Sequence, residues 1–193
     1  MKPVALTTKR LVLDQPTLDD VDLVTEYCRD PIFEHYMVTP WPYERSHAET
    51  FIGSLVPEWW SVESEFTWAL RLAGELIGVI GYRSAGKDIG FWLGTPHRGN
   101  GYMPEAVSAV LDWVFARGGD TVLWECIPGN AASAAVARKS GFTFVGEGAS
   151  TFADRDGGHP VVWQGRIRAT DSREPTEGWP SADGVRSAAD DEA

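Results

Sequence analysis

The chain has 193 residues, 43% of them hydrophobic, and 17 basic side chains against 28 acidic ones give a net charge of −11. That is apolar material for one sizeable core without covalent staples, and a charge that argues against general nucleic-acid binding. Cys28 and Cys126 make no disulfide framework, no apolar run can span a bilayer, and Met1–Thr7 lacks a signal peptide's apolar stretch, so a cytoplasmic protein without a membrane partner is expected.

In chain order, Lys9–Leu13 reads as a first strand. Leu18–Cys28 reads as a helix, with Thr17 as N-cap and Asp19 and Asp20 suited to its first turn. Arg45–Trp60 reads as a second helix, with Ser46 as N-cap and Glu49 completing a capping box. Strands follow at Phe66–Leu72, Glu75–Tyr82 and Ile89–Leu93, joined by an Ala73-Gly74 hairpin turn and a longer turn at Ser84–Lys87. A helix over 102–117 ends at Gly118-Gly119. Strand 121–126, helix 130–140 and strand 142–147 form a strand–helix–strand unit, and a last strand spans about 161–169. This order predicts an α/β protein with a single mixed sheet and helices packed on it, residues 1–169 being one domain. Residues 170–193 hold seven acids and two bases, so −5 of the charge lies there and −6 in the body. Their Ser, Pro, Gly and acid content has no apolar period and reads as a disordered, solvated tail.

The segment 98–142 carries the chemistry. Arg98-Gly99-Asn100-Gly101-Tyr102-Met103 lies between the strand Ile89–Leu93 and a helical apolar face of Ala106, Val107, Val110, Leu111 and Val114. A strand, a glycine-rich turn and a helix start can bind a pyrophosphate: glycines admit close backbone approach, and free N–H groups point at the anion. Neither common nucleotide loop fits, since Gly-Lys-Ser/Thr is missing and Pro104 stands where a dinucleotide fingerprint needs glycine. An ordinary turn would have the same Gly-x-Gly.

The segment resembles the GNAT N-acetyltransferase superfamily, whose acetyl-CoA signature is Gln/Arg-x-x-Gly-x-Gly/Ala. Arg98-x-x-Gly101-x-Met103 looks like that signature, and Asn130-x-x-Ser133 and Gly141-Phe142 look like the branch that acetylates ribosomal-protein N-termini at alanine or serine. Thr8–Leu13 and Pro16–Asp20 fit the branch too, and the similarity runs in order from about residue 8 to about 168. It implies a mostly antiparallel sheet that splays into a V at the acetyl-CoA site, with helices on both faces. It also implies transfer of an acetyl group from acetyl-CoA to a primary amine, either a small molecule or a protein N-terminus, by a monomer or homodimer.

The resemblance assigns acetyl-CoA to the backbone of Arg98, Gly99, Asn100, Gly101, Tyr102 and Met103, to a bulged strand at Phe91, Trp92 and Leu93, and to Asn130 on the pantetheine arm. Arg98 faces a phosphate or solvent. Met103 departs from the family's Gly/Ala and is harmless only if its side chain points away. Glu125, in the strand Val122–Cys126, matches a catalytic glutamate of some N-terminal acetyltransferases, and a carboxyl among apolar residues suits proton abstraction near neutrality. Asp88 and a water relay are the alternatives. The tyrosine many relatives use as general acid is Ala137 here, which leaves Ser133 as acid or sulfur ligand, or simply as a capping residue. Glu34, Tyr36, Trp41, Tyr43, Trp59, Trp60 and Trp68 fall in the acceptor region, as cleft, core or dimer contacts. His35, His47, His97 and His159 have no ligand spacing, so no metal is expected. Against the enzyme stands a module of the same fold that binds acyl-CoA without turnover, consistent with Ala137 and Met103.

Overall fold

The computed structural model describes residues 1–180. Its strands are β1 (Leu6–Thr7), β2 (Leu11–Asp14), β3 (Glu65–Leu72), β4 (Glu75–Arg83), β5 (Asp88–Leu93), β6 (Thr121–Cys126), β7 (Thr143–Ala149) and β8 (Val161–Arg168). They form one sheet in the order β1-β2-β3-β4-β5-β6-β8-β7. Every neighbouring pair is antiparallel except β5 and β6, which run parallel and pair only at Asp88 opposite Leu123. The expected first strand starts later, at Leu11, because Lys9 and Arg10 form a turn closed by Thr8 N–H on the Leu11 carbonyl and Leu11 N–H on Thr8 Oγ1, both at 2.9 Å. The β3–β4 hairpin turns at Ala73 and Gly74, both with positive φ, which matches the right-handed twist of the strands.

The helices are α1 (Val21–Cys28), α2 (Ile32–Tyr36), α3 (Arg45–Thr50), α4 (Val56–Val62), α5 (Tyr102–Ala116) and α6 (Ala131–Lys139). Leu18–Asp20, expected as the first turn of α1, is 3-10 helix, and Thr17 and Asp20 form a capping box. The helix expected over Arg45–Trp60 is continuous in the structure but changes pitch in its middle. Pro57 has no N–H for the Gly53 carbonyl and its ring crowds it, so the preceding turn, Phe51–Leu55, widens to π geometry. The N-cap is Glu44 rather than Ser46: it has extended backbone and its N–H donates to His47 Nδ1 at 3.0 Å, while Glu49 pairs with Arg45 instead. Helix α2 lies in a stretch with no expected element; the Asp30 carboxylate starts it by accepting the Ile32 N–H.

Helices cover both faces of the sheet. On one, α4 and α5 pack Trp60, Met103, Val107 and Leu111 against Leu13, Trp68 and Ile80. On the other, α1, α2 and α3 pack Val24, Phe33 and Ala48 against Ala69 and Leu76. Each fully buried Val, Leu, Ile, Phe or Met side chain among these contributes roughly 1.5–3 kcal/mol relative to exposure.

The expected boundary at residue 170 is not where contact with the body ends. Arg173 reaches Asp112, Thr176 donates to the Phe142 carbonyl, and Trp179 packs on Trp124 and Phe144. Residues 181–193 lie outside the described residues.

Candidate active site

Past the single rung at Asp88 and Leu123, β5 and β6 diverge and a cleft of about 640 Å³ opens between them. The register between β4 and β5 is unbroken, so the strand splays without the bulge that the resemblance implied. Gly94 N–H donates to Ile77 O, and alternation along an antiparallel ladder then commits Trp92 and Gly90 to β4. The backbone groups of Phe91 and Leu93 therefore point toward the cleft. Of the three expected positions, Trp92 offers its ring instead, packed edge-on against Tyr27 and Phe33 at 6.4 and 5.7 Å. No side chain fits at Gly94, where a methyl would sit 2.7 Å from the Tyr27 ring.

The glycine turn forms the wall at the start of α5. Gly99 and Gly101 have φ of 79° and 74°, and Gly101 is the N-cap of α5. The turn is fixed from outside: Arg10 donates to the Asn100 carbonyl at 3.0 Å and to Glu105 at 2.6 Å, and stacks on the Tyr102 ring. Met103 is only 2% exposed and packs in the core, so its side chain is no obstacle to a ligand. Arg98 borders the cleft and keeps 32% of its side chain exposed, with two of its nitrogens already engaged. Its Nε donates to the Leu93 carbonyl and its Nη1 pairs with Asp30 at 2.9 Å. Burial would raise the Asp30 carboxyl, but Thr95, the Ile32 N–H and Arg98 outweigh that and hold it below the usual range, which keeps the partner ionised.

On the facing wall, Asn130 caps α6, its Oδ1 accepting the Ser133 N–H at 3.1 Å. Capping is thus the task of Asn130, and Ser133 Oγ accepts from the Trp124 indole at 3.1 Å. Cys126 lies beside it, and burial, with the Glu125 charge adding, pushes its thiol up to about 12 despite a bond with Ser133. Ala137 is buried at 1% exposure.

Glu125 sits further along the same wall. Its Oε1 accepts from Ser150 Oγ at 2.5 Å, and its Oε2 accepts from the N–H and hydroxyl of Thr151 at 3.3 Å each. It borders both the main cleft and a second cavity of about 110 Å³ beneath it. Asp88 borders only the second cavity; it is 3% exposed and paired through Oδ2 with Arg83, while Oδ1 has no partner. Burial raises the Asp88 carboxyl, Arg83 opposes this, and the Glu125 charge adds to it.

The end of the cleft beside α2 is closed by contacts that the sequence did not signal. Arg155 donates to the carbonyls of Phe33, Glu34, Met37 and Thr39 at 2.6–2.7 Å, tying the loop after β7 to the segment around α2. An arginine in a Gly- and Asp-rich loop gives no signal of partners more than a hundred residues away. Arg83, which carries Phe152 over its guanidinium at 4.0 Å, was missed as well. Of the seven acceptor-region residues, Glu34 and Tyr36 line the cleft, whereas Tyr43, Trp60 and Trp68 are buried core. Among the described residues no cluster of His, Cys, Asp and Glu could hold a metal ion.

Residues 10–143 match the family model described as an acetyltransferase (GNAT) domain. A curated relative, an uncharacterized N-acetyltransferase p20 of Bacillus licheniformis, is 31% identical over 119 residues, which is 57% of this chain and 65% of the relative's length. Solved structures share the fold. An acetyl transferase of Salmonella typhimurium that modifies the N-terminal serine of ribosomal protein L7/L12 superposes with TM-score 0.73 at 17% identity, over 86% of this chain and 99% of that one. Mycobacterium smegmatis RimJ in complex with a CoA disulfide does so with TM-score 0.71 at 18% identity, over 88% and 90%. With the family model spanning both walls of the splayed sheet, this chain belongs to the GNAT acetyltransferase family.

Proposed function

We propose that the chain is an acetyl-CoA-dependent N-acetyltransferase that moves the acetyl group to a primary amine, on a protein N-terminus or a small molecule, by direct transfer. One observation carries the reading: the divergence of β5 from β6 puts free backbone of β5, the glycine turn of α5, Ser133 and Glu125 around one cleft. In this reading the N–H groups from Gly99 to Met103 hold the pyrophosphate, and Asn130 meets the pantetheine arm. A backbone N–H of β5 polarises the thioester carbonyl.

Glu125 removes a proton from the incoming ammonium, and the neutral amine attacks the carbonyl carbon. The carbon–sulfur bond breaks, and the thiolate is met by the Ser133 hydroxyl. Glu125 is preferred to Asp88 because it borders the cleft itself. A thiol pushed up to about 12 is protonated at neutral pH, so Cys126 is a poor nucleophile, which supports direct transfer over an acetyl-enzyme. Serine- and alanine-initiated peptides head the acceptor panel, because one structural neighbour modifies an N-terminal serine. We place the protein in the cytoplasm and its catalytic domain as one unit reaching at least to Trp179.

The test is release of CoA thiol from acetyl-CoA over a panel of peptides and small amines. Turnover with an acetylated product supports the reading. Tight acetyl-CoA binding with no acceptor turned over favours the non-catalytic module, for which Ala137 in place of a tyrosine is the specific argument.

A further inference from the structure

A serine hydroxyl has one proton, and where it points depends on what already donates to its oxygen. At Ser133 that donor is the indole Nε1–H of Trp124, 3.1 Å away, from a ring only 2% exposed. An indole can donate but never accept, so it cannot compete for the serine proton. With one lone pair of Oγ taken from the Trp124 side, the O–H is left to the side of the cleft that Ser133 borders with Cys126 and Asn130, where the Cys126 sulfur is its partner until a ligand's sulfur arrives. A donor on the oxygen also polarises the O–H bond and strengthens what it donates in turn.

The Trp124 ring is itself held from behind. Trp179 lies against it with ring centroids 5.4 Å apart, and packs on Phe144 at 5.6 Å. The Trp179 indole donates to Thr176 Oγ1 at 2.8 Å, and the Thr176 hydroxyl donates to the Phe142 carbonyl. Gly165 leaves room for both rings: a methyl there would lie 3.2 Å from Trp124 and 3.4 Å from Trp179.

Resting on the assignment of Ser133 to the leaving sulfur, we propose that Trp124 is a positioning residue that aims the Ser133 hydroxyl at that sulfur, and that Trp179 of the C-terminal segment braces Trp124. Glu125 passes the proton it took from the ammonium on to solvent; as the carbon–sulfur bond breaks, its electron pair goes to sulfur and the second nitrogen proton leaves by the same carboxylate. The Trp124 N–H and Ser133 O–H in series stabilise the thiolate until it takes up a proton. The stretch around Thr176 and Trp179 thereby belongs to the catalytic apparatus at second hand.

Trp124→Phe removes the N–H and keeps an aromatic ring, and Trp179→Ala removes the brace. Each should lower kcat, by roughly tenfold for Trp124→Phe and severalfold for Trp179→Ala, with KM for acetyl-CoA within about twofold. Added to Ser133→Ala, Trp124→Phe should lower kcat no further, because residues acting through one group are not additive. Unchanged kcat in Trp124→Phe, or an equal loss with and without Ser133, overturns the inference while leaving Ser133 in place. Parental kcat in Ser133→Ala overturns both. A second readout needs neither substitution nor turnover: the Trp124 indole N–H resonance of the wild-type chain should shift on adding CoA and shift less on adding desulfo-CoA. Equal shifts overturn the inference even if no acceptor is found.

Discussion

Arg155 reaches the carbonyl of Phe33 at 2.7 Å, from a loop 122 residues further along the chain. The same guanidinium holds the carbonyls of Glu34, Met37 and Thr39, so one side chain fastens two walls of the cleft at its acceptor end. Charge-assisted bonds of this kind are worth more than neutral ones. Arg155→Ala is therefore expected to raise KM for the acceptor by about tenfold, while KM for acetyl-CoA stays put. Faster hydrogen exchange over residues 33–39 should accompany it. Steady-state kinetics with each substrate varied in turn, and exchange measured on the variant, check both outcomes.

Gly101 has a φ of 74° at the start of α5, a conformation that a β-branched residue adopts only under strain. There is open space around it, the nearest atom to an added methyl being Arg10 Nη2 at 3.6 Å. Gly101→Val should thus fold but shift the turn, weakening acetyl-CoA binding by about 2 kcal/mol through lost backbone hydrogen bonds to the phosphates. Calorimetric titration of the folded variant measures this directly, and unchanged affinity would remove the turn from the binding site.

Glu125→Gln should lower kcat/KM by about 10²–10⁴-fold, with acetyl-CoA affinity unchanged. Asp88→Asn tests a different thing. Asp88 borders the second cavity with Glu125 and is bonded to Arg83, so its neutralisation leaves a half-buried guanidinium without that countercharge. The melting temperature should fall, and kcat/KM should change far less than in Glu125→Gln. If activity collapses in Asp88→Asn instead, the base is misassigned; if neither variant matters, the acceptor is an α-amine neutral enough to react unaided.

Arg71 bridges Asp14 and Asp20, donating to them at 2.7 and 2.8 Å. Burial alone would raise the Asp20 carboxyl, but Arg71 and Thr17 outweigh it and hold it below its ordinary 3.8. A depressed carboxyl adds stability above its unfolded value and loses it as pH falls through the folded one. The pair is therefore expected to protect the fold at neutral pH and to fail only below about pH 3.8. Arg71→Ala leaves Asp20 nearly buried and unpaired, which costs about 3–5 kcal/mol. Urea titrations at pH 7 and pH 3 should show that the variant's deficit shrinks in acid.

What could be read in the sequence was local. The glycines before α5 and its apolar period lie within 20 residues of one another, and they gave the helix almost to the residue. The same holds for the Ala73-Gly74 hairpin and for Asn130 at the head of α6. The helix over Arg45–Trp60 was legible as a whole from its apolar period, and only the backbone reveals the widened turn ahead of Pro57. Long-range contacts gave no signal. Ser150 on Glu125, Asp30 on Arg98 and Trp179 on Trp124 join residues 25 to 68 positions apart, and each depends on which strands lie side by side. The direction of the Met103 side chain was open for the same reason, and packing settled it toward the core.

The one rung between β5 and β6 has a thermodynamic consequence. Two half-sheets meet along a seam that carries almost none of the ladder bonds found elsewhere in the sheet. A ligand that bonds to the free edge of β5 joins the halves, so its binding free energy is also folding free energy. At a concentration one hundred times its dissociation constant, such a ligand adds about 2.7 kcal/mol to stability by mass action. The supply of acetyl donor would then govern how long each molecule survives as well as how fast it works, and a shortage of coenzyme would show first as loss of the protein.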